Sequence, residues 1–262
     1  MPRFAANLTM LFTEYPFLER FEHAARAGFS AIEYMFPYQE NTDEIARLLA
    51  DLRLTQVLFN LPAGNWAGGD RGIALDPQRQ GEFRDGVARA VELARRFSCP
   101  KLNCLVGKPI SGVPEREQRA TMVANLRYAA QEMARHNLRL LVEPINTYDI
   151  PDFYLSTSTD TVAVLDEVGA PNTALQYDIY HMQRMEGNLV PTMERLRSRI
   201  AHVQVADAPD RHEPGTGEIN FPFVLSALDR LGYDGYVGLE YRPSGTTETS
   251  FGWIETMGFG RH

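Results

Sequence analysis

Four residues with oxygen-bearing side chains recur at a near-constant interval in the second half of the chain. Glu143 closes the run LRLLVE, Asp178 closes TALQYD, Gln204 lies within AHVQVAD, and Glu240 closes GYVGLE. They stand 35, 26 and 36 residues apart. Each run is short, apolar and rich in β-formers, so each reads as a strand with a polar residue at its C-terminal end. Three carboxylates cannot share a dry site uncompensated. One must protonate, or a cation must join them. Three carboxylates and an amide oxygen make an all-oxygen set, which suits a hard divalent ion, Mg²⁺ or Mn²⁺, better than Zn²⁺.

Other residues could complete such a site. His181 follows Asp178 by three positions in DIYHMQRMEG and could donate to a substrate oxygen that gains charge. His202 precedes Gln204 by two, so it shares that strand's inward face one layer lower; a packed or supporting role is expected of it rather than ligation. Arg71, Lys108 and Arg211 fall in loops at the same end and are candidates to hold a substrate carboxylate, arginine being better suited to two-point contact. Gly215 and Gly217, in EPGTGEIN, either let backbone approach a ligand or only shape a turn. Trp66, in a glycine-rich loop, is either a pocket cover or a packed side chain.

These residues need a scaffold that brings strand ends together. The hydrophobic spacing predicts strands over 3–8, 31–36, 55–59, 101–106, 139–143, 173–178, 200–205 and 236–240. It predicts helices over 17–27, 42–51, 78–97, 114–136, 158–168, 192–199 and 223–231, and a last one from about 247. Strand–helix alternation implies parallel strands joined by helical crossovers. Eight such units in 262 residues predict an α/β fold, a single (β/α)₈ TIM barrel, with one domain spanning 1–262. In that fold the chemistry sits at the C-terminal ends of the strands.

Composition narrows the partners. With 26 Lys+Arg against 34 Asp+Glu the formal charge is −8, which argues against a nucleic-acid partner. No apolar run is long enough to span a membrane. Cys99 and Cys104 bracket a strand start, too far apart in extended chain for a disulfide. The opening residues carry no charged leader before an apolar stretch, so a cytoplasmic protein with reduced thiols is expected. Residues 10–15 read as an exposed aromatic loop, an interface in a homo-oligomer or a pocket lid.

Longer stretches carry a resemblance. RFAANLTMLF, FNLPAGNWAGGDRGIA, NCLVGK, LLVEPIN, QYDIYHMQRMEGNL, GTGEIN and VGLEYRP span residues 3–243. In them the chain resembles the hydroxypyruvate isomerase family of the xylose isomerase-like barrels. The resemblance implies that Glu143 and Glu240 are the proton donor and acceptor, and that Glu143, Asp178, Gln204 and Glu240 bind the metal. Many members of that superfamily carry His where this chain has Gln204, a departure that speaks against zinc. The implied reaction moves a carbonyl between neighbouring carbons of a small hydroxy-keto acid through an enediolate. The related 2-oxo-tetronate isomerases share the opening MPRFAANL and the later PDRHEP and GEIN, and are the alternative. More remote are another sugar or keto-acid isomerase or epimerase, a metal-dependent endonuclease, for which the charge and Gln204 are ill suited, and a non-catalytic ligand-binding barrel.

Overall fold

The computed structural model describes residues 1–260. In chain order it contains β1 (Arg3–Asn7), a 3-10 turn (Phe17–Glu19) running into α1 (Arg20–Arg26), β2 (Ala31–Glu33), α2 (Thr42–Asp51), β3 (Thr55–Asn60) and α3 (Gln80–Arg96). Next come β4 (Lys101–Cys104), α4 (Glu115–Ala134), β5 (Arg139–Val142), α5 (Ser158–Val168), β6 (Thr173–Asp178), α6 (Ile179–Met185) and α7 (Leu189–Leu196). The chain ends with β7 (Ile200–Val205), α8 (Phe221–Arg230), β8 (Tyr236–Leu239), a second 3-10 turn (Thr249–Phe251) and α9 (Gly252–Thr256). The eight strands hydrogen-bond in sequence order as a closed barrel.

Contacts group the chain into two compact units. One comprises Met1–Val57 and the chain from Tyr177 onward. In it β1 lies parallel between β2 and β8, with Asn7 level with Glu33 and Ala6 with Leu239. β7 pairs with β8 so that Gln204 is level with Gly238. The other unit is Leu58–Gln176. There β4 lies between β3 and β5, with Asn60 opposite Asn103 and Asn103 opposite Leu141, and β5 pairs with β6. Strands buried on both faces are near-continuous apolar runs. β6 is buried along its whole length, and Phe4, Ala5 and Ala6 of β1 are fully buried.

Local chemistry sets the boundaries. Asn41 caps α2 by accepting from the amides of Asp43 and Glu44, and Thr157 caps α5 through Asp160. Each cap is worth about 1 kcal/mol. Gly169 ends α5 at φ 68°, a left-handed turn that costs glycine nothing. The expected bounds of α2, α5, β6 and β7 match those observed. β2 and β4 end at Glu33 and Cys104, short of the expected 36 and 106; α7 starts at Leu189, three residues before the expected 192, and α6 lies where no helix is expected. It has only seven residues, too few for helical spacing to declare itself, and it forms because Asp178 Oδ1 accepts from the Tyr180 amide at 2.8 Å.

Both cysteines are free and buried, and no helix among the described residues is long and apolar enough to cross a membrane. Residues 10–15 correct an expectation. Leu11 and Phe12 are fully buried, Phe12 packs against Phe251 at 5.8 Å, and Tyr15 stacks on His23 at 3.5 Å. The apolar side chains that suggested an exposed surface fill the interior instead. Met10, Thr13 and Glu14 join Thr9, Arg242, Pro243 and Gly245 around a cavity of about 470 Å³.

Candidate active site

In one unit Asp178, His181 and Glu240 are all buried and each offers one ligand atom within 4.8 Å of the others; in the other unit Glu143 is buried as well. Strand ends deliver three of them. Glu143 follows β5 directly, Asp178 is the last residue of β6, and Glu240 follows β8. The fourth arrives because α6 begins immediately after Asp178 and carries His181 on its first turn.

The electrostatics are those of a crowded acid site. His181 Nε2 stands 3.5 Å from Asp178 Oδ2. Burial, then Arg211 and Arg184, hold His181 well below its usual range, so the imidazole is neutral and can ligate or donate. Burial raises Asp178, against Arg211 and the amides of Tyr180 and His181. Burial also raises Glu240, against Arg211 and reinforced by Asp178 and Glu33. Asp178 Oδ2 is buried and accepts no hydrogen bond. An orphaned carboxylate oxygen beside a second buried acid, Glu240, and a neutral imidazole is what a divalent cation would satisfy. The residues present therefore fit a metal ion.

Arg211 is the cation brought to these acids. Its Nη2 donates to Glu240 Oε2 at 2.6 Å, lies 3.7 Å from Asp178 Oδ2, and its guanidinium sits 5.1 Å from the centre of the Tyr180 ring. The loop that carries it is built around Asp207. That carboxylate accepts from the amides of Ala208, Gly215, Gly217 and Ile219. A Cβ on Gly217 would meet the Ala208 carbonyl oxygen at 1.9 Å, so Gly217 serves the turn's own packing. Arg71 instead donates to the carbonyls of Trp66 and Asp70 and lies over the Trp66 ring at 4.2 Å, so Trp66 is engaged by its own loop. Lys108 is half-buried in the loop after β4.

Gln204 is 1% exposed, and its Nε2 donates to Glu33 Oε1 at 2.7 Å. His202 Nε2 lies 2.6 Å from Glu33 Oε2, which makes it a supporting residue. Glu33, Asn7, Asn60 and Asn103 are buried polar residues outside the set expected from sequence. Asn7 Nδ2 donates to Glu33 at 2.9 Å and to Glu240 at 3.1 Å; Asn103 Nδ2 donates to Asn60 at 3.2 Å and to Glu143 at 2.9 Å. A signal existed, since RFAAN, AIE, TQVLFN and KLNC each set a polar residue at or near a strand end.

The family model described as xylose isomerase-like TIM barrel matches residues 21–257. The chain is 50% identical over 255 residues to the hydroxypyruvate isomerase of Escherichia coli K12, covering 97% of this chain and 99% of the relative. It is 42% identical to the 2-oxo-tetronate isomerase of Cupriavidus necator, covering 97% and 98%. A solved Brucella melitensis structure described as AP endonuclease, family 2, superposes with a TM-score of 0.95 at 44% identity, covering 98% of this chain and 99% of that one.

Proposed function

The chain belongs to the xylose isomerase-like TIM barrel family, and from that premise we propose that it is a hydroxypyruvate isomerase, an intramolecular oxidoreductase of the aldose–ketose type. The substrate pair is hydroxypyruvate and 2-hydroxy-3-oxopropanoate. The observation that carries this reading is that two glutamates, Glu143 and Glu240, are buried at the ends of β5 and β8, the latter grouped with Asp178 and His181. A protein that only bound a small acid would have no use for two such proton carriers.

Glu143, Asp178, Glu240 and the amide oxygen of Gln204 would hold a divalent ion, Mg²⁺ or Mn²⁺, with His181 within reach as a ligand or donor. When bound, such an ion polarises the carbonyl and lowers the barrier to removing the adjacent proton. One of Glu143 and Glu240 takes the proton from the hydroxymethyl carbon, leaving an enediolate. The other supports proton return to the neighbouring carbon, while the hydroxyl proton ends on the former carbonyl oxygen. A carboxyl raised by burial, as Glu240 is, suits a group that must both accept and give a proton near neutral pH. His181, neutral, donates to the oxygen that gains charge. Of Arg71, Lys108 and Arg211, the last is the best placed to hold the substrate carboxylate, because it already lies against Glu240.

The C4 acid acted on by 2-oxo-tetronate isomerases is the second reading, favoured by the identity to the Cupriavidus necator enzyme. Rates on hydroxypyruvate and 2-oxo-tetronate, side by side with added Mg²⁺ or Mn²⁺, decide between them. Deuterium uptake into recovered substrate from D₂O tests the proton transfer, and its absence from both acids would overturn the reading. A cytoplasmic setting with reduced thiols and small-molecule rather than nucleic-acid or membrane partners completes the proposal; it is supported by the two free cysteines and the net charge of −8.

A further inference from the structure

Each glutamate of the proposed proton transfer receives an N–H from an asparagine on a neighbouring strand. In one unit Asn103, on β4, donates from Nδ2 to Glu143 Oε2 at 2.9 Å, just past the end of β5. In the other unit Asn7, on β1, donates from Nδ2 to Glu240 Oε1 at 3.1 Å, just past the end of β8.

Among the described residues the Asn103 side-chain amide has two partners, and both are acceptors. Besides Glu143, its Nδ2 donates to Asn60 Oδ1 at 3.2 Å, across the β3–β4 pairing that sets Asn60 level with Asn103. An ionised carboxylate only accepts hydrogen bonds, so the end of the amide that faces it must be the NH₂. A flipped amide would press its own oxygen against the carboxylate. Asn103 is fully buried, yet its Oδ1 accepts nothing among the described residues. An asparagine that served packing alone would be a poor choice at such a place, because a leucine fills the same space without an orphaned oxygen. The side chain is therefore explained by its N–H rather than by its bulk, and that N–H points at Glu143.

A glutamate carboxylate hangs on several rotatable bonds, while proton transfer demands a set approach to the carbon. A neutral N–H holds such a carboxylate by one oxygen without bringing a positive charge against it. We propose that Asn103, braced by Asn60, is a positioning residue that fixes the Glu143 carboxylate for proton transfer. This rests on the reading of Glu143 as a proton carrier. Asn60 takes the second N–H, so the amide cannot swing away from Glu143 without giving up both bonds.

Steady-state kinetics test it, on whichever of hydroxypyruvate and 2-oxo-tetronate the parent turns over faster, alongside melting curves of every variant. Asn103→Leu keeps the bulk and removes the donor. It should lower kcat roughly 10- to 100-fold, the scale of a misplaced reacting group, with KM within about twofold of the parent. Asn103→Ser, smaller and still polar, guards against a folding defect peculiar to leucine and should show the same split. Asn60→Leu should lower kcat less, and adding it to Asn103→Leu should cost little more than Asn103→Leu alone, because both act through one amide. If both Asn103 variants melt lower but keep the parental kcat, the amide merely fills the interior and the proposal falls. A loss carried by KM with kcat unchanged overturns it too, since Asn103 would then hold substrate rather than Glu143. Fully multiplicative losses from Asn60→Leu and Asn103→Leu would remove the brace and overturn the proposal as stated. A parent that neither isomerises either acid nor takes deuterium into it would sink the isomerase reading itself, and this proposal with it.

Discussion

Arg211 and Glu240 form a part-buried ion pair that the backbone sets in place. Nη2 donates to Oε2 at 2.6 Å, and Arg211 itself sits at φ 62°, a left-handed conformation uncommon for a side chain of this size. Its carbonyl accepts from the Arg242 amide at 2.8 Å and its amide donates to the Asp207 carbonyl at 3.0 Å, which hold that conformation. The pair puts a fixed cation against the carboxylate that the proposed chemistry needs, at the point where a substrate anion would arrive.

Replacing this cation tests that placement. Arg211→Ala removes a charge-assisted hydrogen bond worth roughly 1.5–3 kcal/mol, so kcat/KM should fall roughly 10- to 100-fold, mostly through KM. Arg71→Ala and Lys108→Ala should do less. Steady-state kinetics on the three variants would reassign the carboxylate anchor if either of the latter exceeded Arg211→Ala.

The glutamates are tested separately. Glu143→Gln and Glu240→Gln keep shape and volume, so circular dichroism and melting curves should show a folded protein. Turnover should drop by roughly 10²-fold or more, the scale of a lost general acid or base. Near-parental rates in both variants would remove the assignment.

The raised carboxyls give a pH dependence of stability. Burial lifts Asp178 and Glu240 above their ordinary 3.8 and 4.5. A carboxyl whose folded pKa exceeds its unfolded value binds more protons when folded, so stability falls as pH rises through that window. His181, depressed from 6.5, acts in the opposite sense, but only below pH 6.5, where the unfolded imidazole charges. The metal-free protein should therefore lose stability as pH rises from 7 towards 8, by at most about 1.4 kcal/mol per pH unit for one group. Melts of Glu240→Gln should show a flatter profile; an equally steep one would place the titration elsewhere.

A divalent ion should offset the same repulsion. At a hundred times its dissociation constant it would stabilise the fold by about 2.7 kcal/mol, a rise of several degrees in melting temperature. Protons compete for the ligands, so the gain should grow with pH. Calorimetric scans with EDTA and with Mn²⁺ at two pH values would show no difference if the acids bind no ion.

Gly217→Ala probes the loop under Arg211. The added methyl would lie 1.9 Å from the Ala208 oxygen and 2.7 Å from Asp207 Oδ1. The loop must shift, and KM should rise together with a loss of roughly 1–3 kcal/mol in stability. A variant with parental KM would show that the loop does not hold the substrate-binding geometry.

Much of this protein is written locally. Strand and helix spacing are short-range patterns, which is why β6, β7, α2 and α5 end where their residues say they should, and why counting units leads to a closed barrel. Glu143, Asp178 and Glu240 are legible for the same reason, as acids at the ends of apolar strands. α6 was illegible because its seven residues depend on the Asp178 cap more than on any periodicity.

Other features depend on which distant residues meet. Glu33 lies 169 positions from His202 and 171 from Gln204, and Asn7 lies 233 from Glu240. The run AIE sets Glu33 at a strand end, but says nothing of which distant residues meet it there. Neighbouring strands surround its carboxylate with donors, and the bare Cα of Gly238 leaves it room. Arg71, Lys108 and Arg211 likewise read alike as loop cations; tertiary structure separated them, because a buried acid selects the cation that folding brings within hydrogen-bonding distance.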